Sequence, residues 1–207
     1  MGRDRGLKCR QCRREEEKLF LKGDRCYTPK CSIEKRANPP GEQSKRWRSR
    51  KSPYLIRLRE KQKLRRIYGI RERQFRNYVL SAKQGKGVAG DALLSILERR
   101  LDSVLYRSGF AASRTQARQL ISHGHFEING RRMDIPSYLV KENDMISVKE
   151  SRLSWIKEIA AANKERTIPH WIEKDDARLK LQVARLPGTE DVNYTIDFDR
   201  IIEFYSR

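Results

Sequence analysis

No run of the sequence approaches the ~18 consecutive apolar residues of a membrane-crossing helix. The N-terminal stretch MGRDRGLKCRQC has no apolar core, so a secretory signal is not expected there. There is no internal repeat and no low-complexity tract. Apolar residues make up only 37% of the 207 residues, and aromatic ones 8%. A core is possible in part of the chain, but the rest must be solvated or held by a partner. Acidic residues are scarce beside basic ones: 27 Asp and Glu stand against 47 Lys and Arg, a formal charge of +20. Such an excess repels itself in a compact state and points to a polyanion as partner.

Catalytic groups are equally thin. Of the three histidines, His123 and His125 are two apart at a helix end and cannot share a helical face. His170, between Pro169 and Trp171, is expected to pack, and Asp175–Asp176 reads as a solvated turn. No nucleophile–base arrangement emerges, so no enzyme activity and no small-molecule substrate are expected.

The charge is concentrated. Residues 1–90 hold 28 basic and 9 acidic side chains, against 19 and 18 in 91–207. Between Ser44 and Gly90 only Glu60 and Glu72 oppose 16 cations. A solvated helical face would usually alternate signs. A disordered tail would lack apolar spacing, yet this region has it. Ser52–Pro53 reads as an N-cap with Pro at the first helical position. Leu55, Leu58, Leu64 and Ile67 follow near helical spacing, and Gly69 stops the run. Phe75, Tyr78 and Val79 mark one face of a second helix. Two basic amphipathic helices are therefore expected, apolar faces inward and Arg/Lys faces outward. An anionic membrane surface is the weaker alternative, because the cations run almost all round.

After the Gly-rich break Gln84–Gly90, Asp91 is expected to cap one helix over ALLSILERRLDSVLYRSG, with Leu93, Leu97, Leu101, Val104 and Leu105 as its core stripe. Ser113–Gln116 reads as a capping box opening a helix that runs to His123 and ends at Gly124. Asn129–Gly130 between alternating residues predicts a type I′ hairpin. Pro136 breaks the strand, and MISVKE is a further strand. Residues Leu153–Lys164 are expected to be helical, Pro187–Gly188 a turn, Val192–Phe198 an alternating strand, and IIEFYSR a short helix. The fold class is α+β. The helix at Ser113 offers N–H groups, Arg114, Arg118, Gln119 and Ser122 lie close together on it, and Arg131 and Arg132 follow the hairpin turn. This set can clamp a phosphate backbone across a shallow RNA groove, or can be a small core with a basic surface.

All four cysteines fall within the first 31 residues: Cys9, Cys12, Cys26 and Cys31. Two close pairs around a short loop suit four thiolates on one tetrahedral Zn²⁺. Two disulfides or four unrelated thiols are the alternatives, and a reducing compartment favours the metal. With four protein ligands such a site is closed, so one structural zinc ion is expected and no chemistry at it. Metal binding would supply the folding energy of a segment this poor in apolar residues.

SRTQARQLISHGHFEINGRR followed by PSYLVKENDMISVKE resembles the S-four-type RNA-binding domain, two helices plus antiparallel strands, which also occurs in pseudouridine synthases and some tRNA synthetases. The upstream LREKQKLRRIYGIRERQFRNY and LLSILERRLDSVLYRSGFAASR extend the likeness. With the four cysteines and the terminal IIEFYSR, essentially the whole chain resembles the bacterial small-subunit ribosomal protein S four family. That resemblance implies a cytoplasmic, ribosome-bound protein that binds the 5′ domain of small-subunit (16S) rRNA and nucleates assembly. It implies a place near the path by which mRNA enters, a contribution to translational accuracy, and contact with ribosomal protein S five and other small-subunit proteins. Some family members repress their own message, and some lack the cysteines. The implied division is a zinc-binding module over 1–43, a basic helical rRNA-binding domain over 44–96 joined by a strand and helix in 190–207, and the S-four-type domain with its extension over 97–189. The residues expected to face RNA are Arg46, Arg48, Arg50, Lys51, Arg57, Lys61, Lys63, Arg65 and Arg66, then Arg71, Arg73 and Arg76. Arg114, Arg118, Gln119, His123, Arg131 and Arg132 complete the set. The competing readings are an RNA-modifying enzyme, for which too few residues remain outside these segments, and a zinc-containing DNA regulator, for which no helix–turn–helix or zipper spacing is present.

Overall fold

A computed structural model describes residues 6–41, 52–85, 87–163, 167–192 and 196–206. The chain divides into two compact units, Met1–Gly90 with Tyr194–Arg207, and Asp91–Asn193.

In the first unit the cysteine-bearing segment forms α1 (Lys8–Glu15), a 3-10 turn (Gly23–Cys26) and the single-turn α2 (Ser32–Lys35). Helix α3 (Pro53–Ile67) starts as its sequence dictates: Ser52 Oγ accepts the Leu55 N–H at 3.2 Å and Pro53 takes the first helical position. It stops at Gly69, whose φ of 61° lies in the left-handed region that glycine enters without strain. Helix α4 (Glu72–Gln84) follows. Leu64, Ile67, Tyr68, Ile70, Phe75 and Val79 are buried, so the inner stripe of both helices is the unit's core. Leu55 and Leu58 contribute less: Leu55 is exposed and Leu58 half-buried.

The chain's last helix, α9 (Phe198–Phe204, capped by Asp197), packs on α3. Its Ile201 is buried, and Lys61 Nζ lies 4.6 Å from the centre of the Phe204 ring. Gly90 lets this helix approach, since a Cβ there would lie 2.9 Å from Phe198 Cβ. An alternating strand was expected over Val192–Phe198. Phe198 instead opens α9, and among the described residues of that stretch there is no strand; 193–195 lie outside them.

The second unit is a five-stranded antiparallel sheet with helices. The strands are β1 (Phe126–Ile128), β2 (Arg131–Met133), β3 (Met145–Val148), β4 (Ile172–Asp175) and β5 (Lys180–Val183), in spatial order β2-β1-β3-β5-β4. Asn129 at φ 51° and Gly130 at φ 76° are both left-handed, the geometry of the expected type I′ turn. The fold core gathers Leu101, Val104, Leu105, Phe110, Leu120, Ile121, Phe126, Ile146 and Trp171.

Three sequence expectations change here. The single helix over ALLSILERRLDSVLYRSG is two helices, α5 (Ala89–Glu98) and α6 (Leu101–Arg107). The break is Arg100, which is extended and bridges Leu139, while the Leu101 N–H donates to Tyr138 O and the Val140 N–H to Arg99 O. Tertiary hydrogen bonds thus replace the helical ones at that point. The β4–β5 hairpin was not foreseen. Its turn closes at Leu179 with φ 50°, a conformation normally signalled by Gly or Asn, and Asp175 Oδ1 holds the turn by accepting the Ala177 and Arg178 N–H groups. Lastly, His170 is exposed, and it is Trp171 that is buried. Helix α7 (Arg114–Ser122) and α8 (Leu153–Ala162) complete the unit.

Candidate nucleic-acid interface

Two carboxylates organise the cationic side of α6 and α7. Glu98 is buried and is gripped by Arg107, whose Nη2 and Nε donate to its two oxygens at 2.8 and 3.1 Å. Ser103 Oγ adds a third bond at 3.0 Å, and Arg114 Nη2 stands 3.5 Å away. Four residues on, Asp102 is gripped from two sides. Arg100 donates through Nε and Nη2 at 3.0 and 2.7 Å, and Arg118 through Nε and Nη2 at 3.0 and 2.5 Å. Arg114 also lies 4.5 Å over the ring of Tyr106. The guanidiniums are thereby fixed before any ligand arrives, which lowers the ordering cost of binding an anion.

Arg114 and Arg118 therefore do not point freely outward: their side chains are only 10% and 13% exposed. The capping box also differs by one residue. Ser113 Oγ accepts the Gln116 N–H at 3.2 Å, but Gln116 Oε1 accepts from Ala112 N–H at 2.7 Å rather than from Ser113. Gln119 is exposed on α7, and His123 is exposed at its C-cap. Arg131 and Arg132 are exposed on β2, the sheet edge, with Arg132 opposite Glu127.

In the first unit the expected outward cations separate into two kinds. Arg71, Arg73 and Arg76 are exposed on or just before α4. Lys61 and Lys63 are buried instead, Lys61 donating to Glu72 at 2.7 Å and Lys63 paired with Glu17. Arg57 pairs with Glu203 at 2.5 Å, Arg65 donates to Gln62 and to Ile70 O, and Arg66 pairs with Glu15 beside Arg59. Burial pushes the Glu15 carboxyl above its ordinary value despite those arginines. Burial also works against Glu72, but hydrogen bonds from Lys61 and Tyr205 outweigh it and hold that carboxyl below its ordinary value. Arg46, Arg48, Arg50 and Lys51 lie outside the described residues.

Cys12, Cys26 and Cys31 are buried and Cys9 is half-buried, and none of the four is in a disulfide. Burial first, and then the neighbouring cysteines, push the Cys12 and Cys26 thiols up. Backbone N–H groups offset this: that of Lys22 donates to Cys26 Sγ at 3.4 Å, and that of Leu19 bonds to Cys12. The four sulfurs thus lie within electrostatic reach of one another, and their donor chemistry suits zinc. Among the described residues, however, no group of three or more His, Cys, Asp or Glu side chains is drawn into a ligating cluster.

Sequence reasoning missed Glu98, Asp102, Arg100 and Arg107. A signal existed: two carboxylates four apart, each beside a buried leucine of the core stripe, are not left unpaired in a folded protein.

Residues 3–98 match the family described as Ribosomal protein S4/S9 N-terminal domain, and residues 99–146 the S4 domain. Along its whole length the chain is 52% identical to the small ribosomal subunit protein uS4 of Thermus thermophilus, covering all of both chains. The chain belongs to the uS4 family of small ribosomal subunit proteins. The family likeness is equally complete with uS4A of Symbiobacterium thermophilum, at 52%, and with uS4 of Halothermothrix orenii, at 50%. Among the described residues no helix is long and apolar enough to cross a membrane.

Proposed function

We propose that this chain is a structural constituent of the small ribosomal subunit and a primary binder of the 5′ domain of its 16S rRNA, nucleating assembly rather than catalysing a reaction. The observation that carries the reading is the full-length identity to proteins named small ribosomal subunit protein uS4. The preset guanidiniums on Glu98 and Asp102, the exposed Arg131 and Arg132, and Arg71, Arg73 and Arg76 provide cations for phosphate contacts. Counterion release supplies most of the affinity, and fixed geometry supplies the selectivity. Arg57 and Arg65 in the first unit, and Gln119 and His123 at α7 and its C-cap in the second, are further candidates for RNA contact, as are Arg46, Arg48, Arg50 and Lys51, which lie outside the described residues. The working place is the cytoplasm, on the ribosome, beside ribosomal protein S five and the path by which mRNA enters. Control of its own message and a contribution to translational accuracy belong to the same reading.

One zinc ion on Cys9, Cys12, Cys26 and Cys31 is part of the proposal. The N–H bonds to Cys12 and Cys26 are of the kind that stabilise thiolates, and the metal would serve only to hold the N-terminal segment. The test of function is a titration across a salt series with the rRNA 5′ domain, a scrambled RNA of equal length and duplex DNA. Preference for the rRNA domain that persists as salt rises is expected. Equal affinities that collapse together with salt would reduce the reading to the +20 charge alone.

A further inference from the structure

Beside the α7 C-terminus three aromatic rings stand in series. The His123 and His125 rings are 5.8 Å apart edge-on, and His125 meets Trp155 of α8 at 5.6 Å, again edge-on. The middle ring is buried, 8% exposed, while Trp155 is 46% exposed, among the larger apolar surfaces the chain shows to solvent. The perpendicular contact with the buried His125 ring positions the Trp155 indole while nearly half of that residue stays open to solvent.

The surroundings are cationic. Arg152 is close enough to act on the His125 charge, and the Lys149 N–H donates to His125 O at 2.9 Å. Gly124 lies directly under Arg132, since a Cβ at that position would fall 2.6 Å from Nε. Glu158, one turn along α8, is the acidic neighbour on that helix. Burial first, then Arg152 and His123, holds His125 below its ordinary pKa, so the middle ring is neutral at physiological pH.

We infer that the rings of His123, His125 and Trp155 form a stacking platform for an unpaired base of single-stranded RNA, with Arg132, Arg152 and Lys149 receiving the adjoining phosphates. This rests on the RNA-binding reading above and adds to it a ligand class, since the carboxylate-paired guanidiniums of α6 and α7 suit a phosphate backbone. Stacking on an aromatic ring tolerates any base, whereas a paired duplex keeps its bases out of reach.

The experiment uses the full-length chain carrying Trp47→Phe, which leaves Trp155 and the buried Trp171 as emitters. An oligouridylate of about twelve nucleotides and an RNA duplex of similar length are titrated while tryptophan emission and fluorescence anisotropy of the labelled RNA are followed. Quenching by the single strand and not by the duplex is expected. Trp155→Leu is expected to weaken single-strand binding at least about fivefold, with Trp155→Phe keeping most of it and duplex binding unchanged in both. Equal quenching by the duplex, or Trp155→Leu within about twofold of the parent, would overturn the platform. An Arg131→Glu/Arg132→Glu variant separates the two levels. If it loses RNA binding while Trp155→Leu does not, the platform alone fails; if the parent itself binds neither the single strand nor the duplex, the RNA-binding reading fails with it. The quenching arm leaves residue 155 untouched, so a folding defect in Trp155→Leu does not spoil the test.

Discussion

The Arg118 guanidinium donates to Asp102 through two nitrogens, at 3.0 and 2.5 Å, and Asp102 is 1% exposed. The same carboxylate holds Arg100, itself 1% exposed. Both charges have left water, so their value depends on remaining together.

Removing the anion is therefore expected to be costly. Asp102→Ala should destabilise the second unit by about 3–5 kcal/mol, because a buried guanidinium is left uncompensated. Arg118→Met should cost less, since Arg100 still neutralises Asp102. Urea unfolding of the two variants checks the order, and equal losses would show that Arg118 rather than Arg100 carries the pair. On the proposed function both variants also lose rRNA affinity, Arg118→Met directly and Asp102→Ala through disordered guanidiniums.

Gly124 ends α7 at φ 70° and sits against Arg132. Alanine there meets two penalties, a left-handed backbone and a Cβ 2.6 Å from Nε. Gly124→Ala should lower stability by roughly 1–2 kcal/mol and swing Arg132 away from the helix end. A loss of RNA affinity larger than that of a surface Gly→Ala control would tie the glycine to the position of Arg132.

How much of this was readable from the sequence depended on where the determining information lay. Where it was local, the expectation and the structure largely coincide: Ser52 caps α3, Gly69 and Gly124 stop their helices, and Asn129–Gly130 turns the hairpin, whereas Asp91, expected as a cap, lies inside the first turn of α5, which opens at Ala89. Where it was tertiary, they part. The helix break at Arg100 comes from the hydrogen bonds that Leu101 N–H donates to Tyr138 O and that Arg99 O accepts from Val140 N–H, partners some forty residues away. The β4–β5 hairpin closes on a leucine in a glycine-like conformation, so no turn signal was present. For the interface, composition marked the cations but not their partners. Nothing local distinguishes exposed Arg73 from Lys61, which Glu72 and the rings of α9 draw inward.

Glu72 links helix α4 to the chain's end. Tyr205 Oη donates to it at 2.5 Å, and Lys61 Nζ at 2.7 Å. Its carboxyl is held below the ordinary value, so the stabilisation is complete at neutral pH and is lost as pH falls through the acidic side of the carboxylate range, below about pH 4. Glu72→Gln should weaken the seating of α9 at neutral pH and flatten that acid dependence. Amide exchange of Ile201 and Ile202 between pH 3 and pH 7 reads it; unchanged protection in the variant would remove Glu72 from the contact.

The cysteine segment should respond to metal as a unit of its own. Loss of one ligand, as in Cys26→Ser, or chelation, is expected to remove one zinc per chain and raise protease sensitivity within residues 6–41. The sheet of the second unit should be untouched, because its core is made of its own side chains. Metal analysis with limited proteolysis decides this. Zinc-free protein as resistant as the loaded form would take the metal out of the folding of that segment.

His125 gives the second unit a dependence of its own near neutrality. Its ring is buried against Trp155 and faces Arg152 and His123, which together keep its pKa below the ordinary histidine value of about 6.5. The unfolded chain therefore binds the proton more readily than the folded one. Stability contributed by the neutral ring is complete above about pH 6.5 and declines as pH falls below it. His125→Phe keeps an aromatic ring against Trp155 but cannot titrate. Its urea midpoint should be flatter than the parent's between pH 7.5 and pH 5, and the difference between the two curves isolates this site from the carboxylates. If the curves run parallel, the ring is protonated as easily in the folded protein as in the unfolded chain, and burial beside Trp155 does not control its charge.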